Sequence, residues 1–278
     1  MKQINNIVVP IDFSQESNAG ITASCSFARK FNGKIHFINT ISDELVESDD
    51  EHALKQLQFQ KKVVRKKRLT KLMSTSVPQS LQGKSFASFG TMTNVINQFS
   101  IQVDIDLIIT ATSGSRNFIE FFGGNDTEDL IRENDIPVIA VPEDEDLTFK
   151  NLLIATDLGR EVPNTIFKVC KFLQSEGAGL HFVNIITTEL IEKDEVKKKI
   201  ESMTQRSDIE KCEVHVESNS DEVQGILEVA RKIDADIILM KTYQKSRFWT
   251  LVKGSLSEQL VRKSEIPVMV ENIDKVRK

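Results

Sequence analysis

The sequence is poor in the residues that staple, span or catalyse. Its three cysteines, Cys25, Cys170 and Cys212, are too few and too scattered for a disulfide framework or a metal knuckle. Cys25 and Cys170 fall on the apolar stripes of two helical patterns, so both read as small buried hydrophobes. No apolar run approaches the roughly 20 residues that span a bilayer. The opening Met1-Lys2-Gln3-Ile4-Asn5-Asn6 runs directly into a strand pattern rather than a leader, which predicts cytoplasmic residence without membrane attachment. A net charge of −5 offers no global field for nucleic acid. Ser-His-Asp constellations, HExxH, a Walker-type lysine loop and paired catalytic carboxylates are all missing, and the expectation is a protein that is not an enzyme.

What the chain does have is a duplication. Asn6-Ile7-Val8-Val9-Pro10-Ile11-Asp12 returns as Asn151-Leu152-Leu153-Ile154-Ala155-Thr156-Asp157, and Lys34-Ile35-His36-Phe37 returns as Gly179-Leu180-His181-Phe182, both 145 positions later. Asp104-Ile105-Asp106-Leu107-Ile108-Ile109 matches Asp234-Ala235-Asp236-Ile237-Ile238-Leu239 at an offset of only 130, so the second copy is 15 residues shorter in its middle. With 278 residues, 40% hydrophobic and 28% charged, the chain accommodates two globular domains. The predicted domains are residues 1–143 and 148–274, separated by the short acidic boundary at Glu143-Asp144-Glu145-Asp146.

Each copy alternates short apolar runs with helical patterns. Strands are predicted near residues 4–12, 34–41, 83–90, 105–111 and 137–142, then 150–157, 178–186, 211–218, 236–240 and 266–271. Ile7-Val8-Val9 and Leu107-Ile108-Ile109 are apolar at consecutive positions, as strands covered on both faces of a parallel sheet must be. Ile21, Cys25, Ala28 and Phe31 recur at helical spacing. The fold class is therefore α/β: two tandem doubly wound, Rossmann-like domains, each with a five-stranded, mostly parallel sheet.

The extra residues of the first copy lie in its second helical region, which carries Lys61-Lys62-Val63-Val64-Arg65-Lys66-Lys67-Arg68. Without interleaved aromatics this run reads as the solvated face of a long helix, with Leu54, Leu57, Val64 and Leu72 turned inward. His36 and His181 alternate with apolar residues at equivalent positions, which predicts a shared structural setting rather than a metal pair.

Ligands of open parallel sheets bind outside the carboxyl ends of the strands, where chain order reverses. In the first copy Asp12, Thr40 and the loop from Ala111 should converge there. That loop, Ala111-Thr112-Ser113-Gly114 through Gly123-Gly124-Asn125-Asp126, has glycines that let backbone N–H groups approach an anion. A helix starting near Asp126, with Asn125 or Thr127 as its cap, would aim its positive end inward. A second use of Asp12 stays open, as the cap of the helix that follows it.

The element order, the strand-ending Asp, this loop, and the closing patterns Thr127-Glu128-Asp129-Leu130-Ile131-Arg132 to Ile136-Pro137-Val138 and Ser257-Glu258-Gln259-Leu260-Val261-Arg262 to Ile266-Pro267-Val268 resemble universal stress proteins over both halves. The resemblance implies an adenine nucleotide alpha hydrolase-like fold. ATP-binding members carry Gly-x-x-Gly, nine residues, then Gly-Ser or Gly-Thr. On that pattern Ala111 replaces the first glycine, Gly114 and Gly124 match, and Asn125 stands where the hydroxyl residue would be. By similarity Asp12 would accept a hydrogen bond from ribose or adenine, Thr40 would lie along the base, and Mg2+ would enter only with ATP.

The second copy departs further, with Lys241 and Gln244 at the early glycine positions and only Gly254-Ser255 intact. Two functions stand on this evidence: a stress-response protein that senses ATP through its first domain, with slow hydrolysis not ruled out, and a nucleotide-independent scaffold with both pockets decayed. Either would act through a protein partner that the sequence does not name. The resemblance further implies that Val138-Ile139-Ala140-Val141 and Val268-Met269-Val270 pair as apolar edges in an intramolecular pseudo-dimer, beyond which a homodimer is compatible with the sequence.

Overall fold

A computed structural model describes residues 4–15, 17–41, 51–112, 136–142, 146–158, 162–188, 191–207, 209, 211–242 and 256–272. The chain divides into two compact units, Met1–Leu147 and Thr148–Lys278.

In the amino-terminal unit the order is β1 (Asn6–Pro10), α1 (Ser17–Phe31), β2 (Lys34–Ile41), α2 (Glu51–Ser76), a single 3-10 turn, β3 (Gln82–Phe89), α3 (Met92–Ser100), β4 (Leu107–Ala111) and β5 (Val138–Val141). Every pairing is parallel, and the strands lie in the order β3-β2-β1-β4-β5. Chain order reverses beside β1, which neighbours both β2 and β4. The consecutive apolar runs behave as their pattern demands: Ile7, Val8, Val9, Leu107, Ile108 and Ile109 are all fully buried. Phe27, Phe37 and Phe99 join them, each contributing about 1.5–3 kcal/mol by leaving water.

The carboxyl-terminal unit repeats the plan with β6 (Asn151–Ala155), α4 (Asn164–Ser175), β7 (Gly179–Ile186), α5 (Lys193–Arg206), β8 (Glu213–Ser218), α6 (Glu222–Lys232), β9 (Ile237–Thr242), α7 (Leu256–Lys263) and β10 (Val268–Asn272). Its parallel order is β8-β7-β6-β9-β10. The missing residues show as helix length, since α5 has 14 residues where α2 has 26.

The repeated Asp-x-Asp has a structural role in both units. Asp106 Oδ2 accepts from the backbone N–H groups of Asn5 at 2.9 Å and Asn6 at 3.0 Å, and Asp236 Oδ2 accepts from Lys150 at 2.6 Å and Asn151 at 2.7 Å. Each carboxylate thus fastens the start of its unit's first strand, using the stronger charge-assisted class of hydrogen bond.

Two expectations need correction. Val64 is not turned inward; it is 64% exposed, and Leu54, Leu57 and Leu72 are only half-buried. The inward residues of α2 are Leu69 and Met73 in its last two turns, because residues 52–68 bury no side chain and only the carboxyl-terminal part of the helix covers the sheet. The fourth strand of the carboxyl-terminal unit also runs further than predicted. Beyond Met240, β9 includes Lys241 and Thr242, which pair with Glu271 and Asn272 in the ladder. A charged residue at a strand end breaks the apolar pattern without breaking the backbone pairing.

Candidate functional site

The reversal beside β1 places its carboxyl end where a ligand would sit. There the chain turns through Phe13 at φ 68°, and after β6 it turns through Leu158 at φ 62°. A bulky residue in the left-handed region costs about 1–3 kcal/mol, and both units keep it. In the first unit the turn is held by Asp12 Oδ1, which accepts from Ser14 N at 2.8 Å, from Ser14 Oγ at 2.5 Å and from Ser17 Oγ. Ser17 opens α1, so Asp12 ties this turn to the start of that helix through a side-chain hydroxyl, while the Ser17 N–H donates to Ser14 Oγ at 3.3 Å. Oδ2 takes no part in these three bonds.

Asn39 crosses from β2 to fix the same corner, its Nδ2 donating to Ile11 O at 2.7 Å; in the second unit Asn184 does the same to Thr156 O at 2.7 Å. Asn39 was not singled out from sequence, although its repetition at position 184 was the available signal. Thr40 is half-buried at the end of β2, paired with Ser88 of β3. Ala111 ends β4, and its backbone N lies 3.3 Å from where a Cβ on Gly20 would be, so α1 approaches this strand closely because Gly20 has no side chain. Asp12, Thr40 and Ala111 thus stand at the ends of β1, β2 and β4, while Gly114, Gly124 and Asn125 lie outside the described residues.

The basic run of α2 is not simply a solvated face. The Arg68 guanidinium carbon lies 3.9 Å from the centre of the Phe13 ring, Arg65 lies 5.7 Å from the same ring, and Lys62 Nζ lies 5.6 Å from that of Phe89. Phe13 directly follows Asp12, so its two cation–π contacts draw the charges of Arg65 and Arg68 toward that corner, whereas Lys62 lies over the end of β3, two strands away from β1. Sequence spacing could not show this, because the rings come from other elements.

The twin corner has different chemistry. Lys241 Nζ lies 2.7 Å from Asp157 Oδ1, and the Lys241 side chain is only 6% exposed. Lys241 occupies the position of Ala111, 130 residues on, so an ammonium in the second unit stands where the first has a methyl group. Together with Thr156, Val162, Pro163 and Ile166 it lines a small crevice at this corner. Burial, followed by the charge of Asp157, pushes the carboxyl of Glu222 upward. The start of α4 is occupied as well: Glu271 accepts from Thr165 N at 3.1 Å and Ile166 N at 2.9 Å, and its burial raises its pKa.

The equivalent histidines do not share a setting. His36 Nδ1 accepts from Lys84 N at 3.0 Å and its Nε2 faces Asn6 Oδ1 at 3.2 Å, so both nitrogens serve the fold. His181 instead faces His215 of β8, 3.2 Å away. Cys25 and Cys170 are buried, and burial pushes the Cys170 thiol up to about 12, which leaves it unreactive.

No helix among the described residues is long and apolar enough to cross a membrane. The comparison with curated proteins returned no match. Among solved structures, a universal stress protein from Archaeoglobus fulgidus DSM 4304 is 21% identical and superposes with a TM-score of 0.71, over 98% of each chain. A functionally unknown protein from Pseudomonas aeruginosa PAO1 is 16% identical with a TM-score of 0.62, over 98% of this chain and 93% of that one. These likenesses are of fold. The model of the universal stress protein family matches residues 3–142 and again 148–271. Both halves carry the family's pattern, and the chain belongs to the universal stress protein family as a tandem of two such domains.

Proposed function

We propose that this protein is a stress-response regulator whose amino-terminal domain binds an adenine nucleotide, ATP with its Mg2+, while the carboxyl-terminal domain binds none. The observation that carries this reading is the pair of equivalent positions Ala111 and Lys241. At the end of β9 an ammonium is already bound to the strand-ending Asp157, 2.7 Å away. At the end of β4 only a methyl group stands beside the Asp12 corner. Arg65 and Arg68, held over Phe13, favour an anion at that corner. In this reading Asp12 takes the ribose or adenine through Oδ2, Thr40 lies along the base, and Gly114, Gly124 and Asn125 meet the phosphates. The nucleotide supplies the signal, and occupancy alters which protein partner is recognised.

The scaffold reading has one observation of its own, the commitment of Asp12 Oδ1 to Ser14 and Ser17. Titration calorimetry of the full chain with Mg·ATP separates the two. The expected result is one nucleotide per chain, weakened at least ~10-fold by Gly124→Val and unaltered by Lys241→Ala. Absence of binding to the unaltered chain would leave the scaffold, and restored binding of a second nucleotide in Lys241→Ala would mean that the lysine alone closes the other domain.

A further inference from the structure

The register of β7 on β8 sets His181 opposite Glu213 and Val183 opposite His215. Side chains alternate along a strand, so His181, Glu213 and His215 share one face of the sheet. His181 Nδ1 lies 3.2 Å from His215 Nε2 and 3.6 Å from Glu213 Oε2, and His215 Nε2 lies 4.0 Å from the same carboxylate oxygen. Ligand atoms around a tetrahedral ion at about 2.0–2.2 Å are themselves roughly 3.3–3.6 Å apart. The three separations bracket that range before any ion has drawn the groups together.

We propose that His181, His215 and Glu213 form a binding site for a zinc-class divalent cation in the carboxyl-terminal domain. Two imidazoles and one carboxylate suit a borderline ion such as Zn2+, rather than Mg2+ or Ca2+, which take oxygen ligands. The accessibility of the three groups fits the role. The side chains of His181 and His215 are 11% and 14% exposed and held by the sheet, while that of Glu213 is 73% exposed and free to close by a few tenths of an ångström. Water would complete the coordination from the open side.

A difference between the domains supports the assignment independently. In the first domain the β2–β3 ladder shifts register between Ile35 and Phe37, and the shift brings Lys84 N to His36 Nδ1. The β7–β8 ladder runs from His181 to Ile186 without a shift. The corresponding nitrogen of His181 therefore faces a second imidazole instead of a backbone N–H. A hydrogen bond between two neutral rings would produce the same 3.2 Å separation, but it gives Glu213 no part. The cluster sits toward the amino ends of β7 and β8, so it is independent of the nucleotide reading.

Calorimetry of the full chain, stripped with chelator and titrated with ZnCl2, tests the proposal. One Zn2+ per chain is expected, no heat with MgCl2, and a rise in melting temperature with zinc. His215→Ala should weaken zinc binding at least ~10-fold and abolish the thermal shift, with His52→Ala on α2 as the unaffected control. Glu213→Gln keeps the size of a side chain that is 73% exposed, and it should weaken binding several-fold even if His215→Ala fails to fold. Zinc binding that is absent, or equally strong in Glu213→Gln and the unaltered chain, would reduce the cluster to a hydrogen-bonded histidine pair and overturn the site.

Discussion

Lys241 and Asp157 form an ion pair 2.7 Å long between the ends of β9 and β6, with the ammonium all but sealed from solvent. The pair joins two residues far apart along the chain, at the corner where the sister domain has Ala111 and Asp12. Its existence changes what can enter: a ligand at this corner would have to displace a satisfied internal contact.

Because Lys241 is buried and Asp157 is half-open, the pair should couple more strongly than an exposed one. Lys241→Met should cost about 1–3 kcal/mol, since it removes the buried ammonium 2.7 Å from Asp157, whose charge also bears on Glu222. A double-mutant cycle with Asp157→Asn, read by urea denaturation, should return a coupling of about 1–2 kcal/mol. Additive losses would show that the contact contributes nothing to folding.

His36 gives the first domain a pH dependence of known sign. Burial, with the charge of Lys84 second, lowers its pKa from 6.5 to about 4. The unfolded chain then takes up a proton that the folded one refuses, so stability is complete above 6.5 and is lost as pH falls toward 4. By about pH 5.5 the loss should reach about 1 kcal/mol. Denaturation of His36→Gln and the unaltered chain at about pH 7.5 and 5.5 should show the variant with the shallower fall. Parallel falls would mean that the imidazole is not held neutral.

Glu271 acts with the opposite sign. Its pKa is raised above 4.5, chiefly by burial, so the folded chain holds a proton that the unfolded chain releases. This contribution to stability is full below 4.5 and declines as pH rises through the raised folded value. Glu271→Gln should flatten the decline over the units just above 4.5 while retaining one of the two acceptors that cap α4. Calorimetric melts across that range give the comparison, and an unchanged slope would remove the role assigned to the buried carboxyl.

The contrast between the domains explains how far sequence could be read. Ile7-Val8-Val9 and Leu107-Ile108-Ile109 had to be covered on both faces, because apolar side chains at consecutive strand positions leave no wet side. The doubling of His36-Phe37 as His181-Phe182 signalled two domains, yet not their different surroundings. That depended on a one-place irregularity in the β2–β3 ladder, where close approach at Gly83 admits the His36 ring. Periodicity placed Val64 on an inward stripe, but a helix longer than the sheet it covers exposes half of any stripe. The loop carrying Gly114, Gly124 and Asn125 lies outside the described residues, and its part in the site remains a reading of motif spacing.

By itself the sequence determined the α/β class, the duplication and the strand ends at Asp12 and Asp157, because each follows from residues adjacent along the chain. Only the tertiary structure decided that Arg68 leans on Phe13, that Lys241 reaches Asp157, and that His181 meets His215 and Glu213. The physical reason is one of range. Burial patterns and turns are local, whereas an ion pair or a ligand cluster forms between side chains that only the pairing register of separate elements brings within a few ångströms.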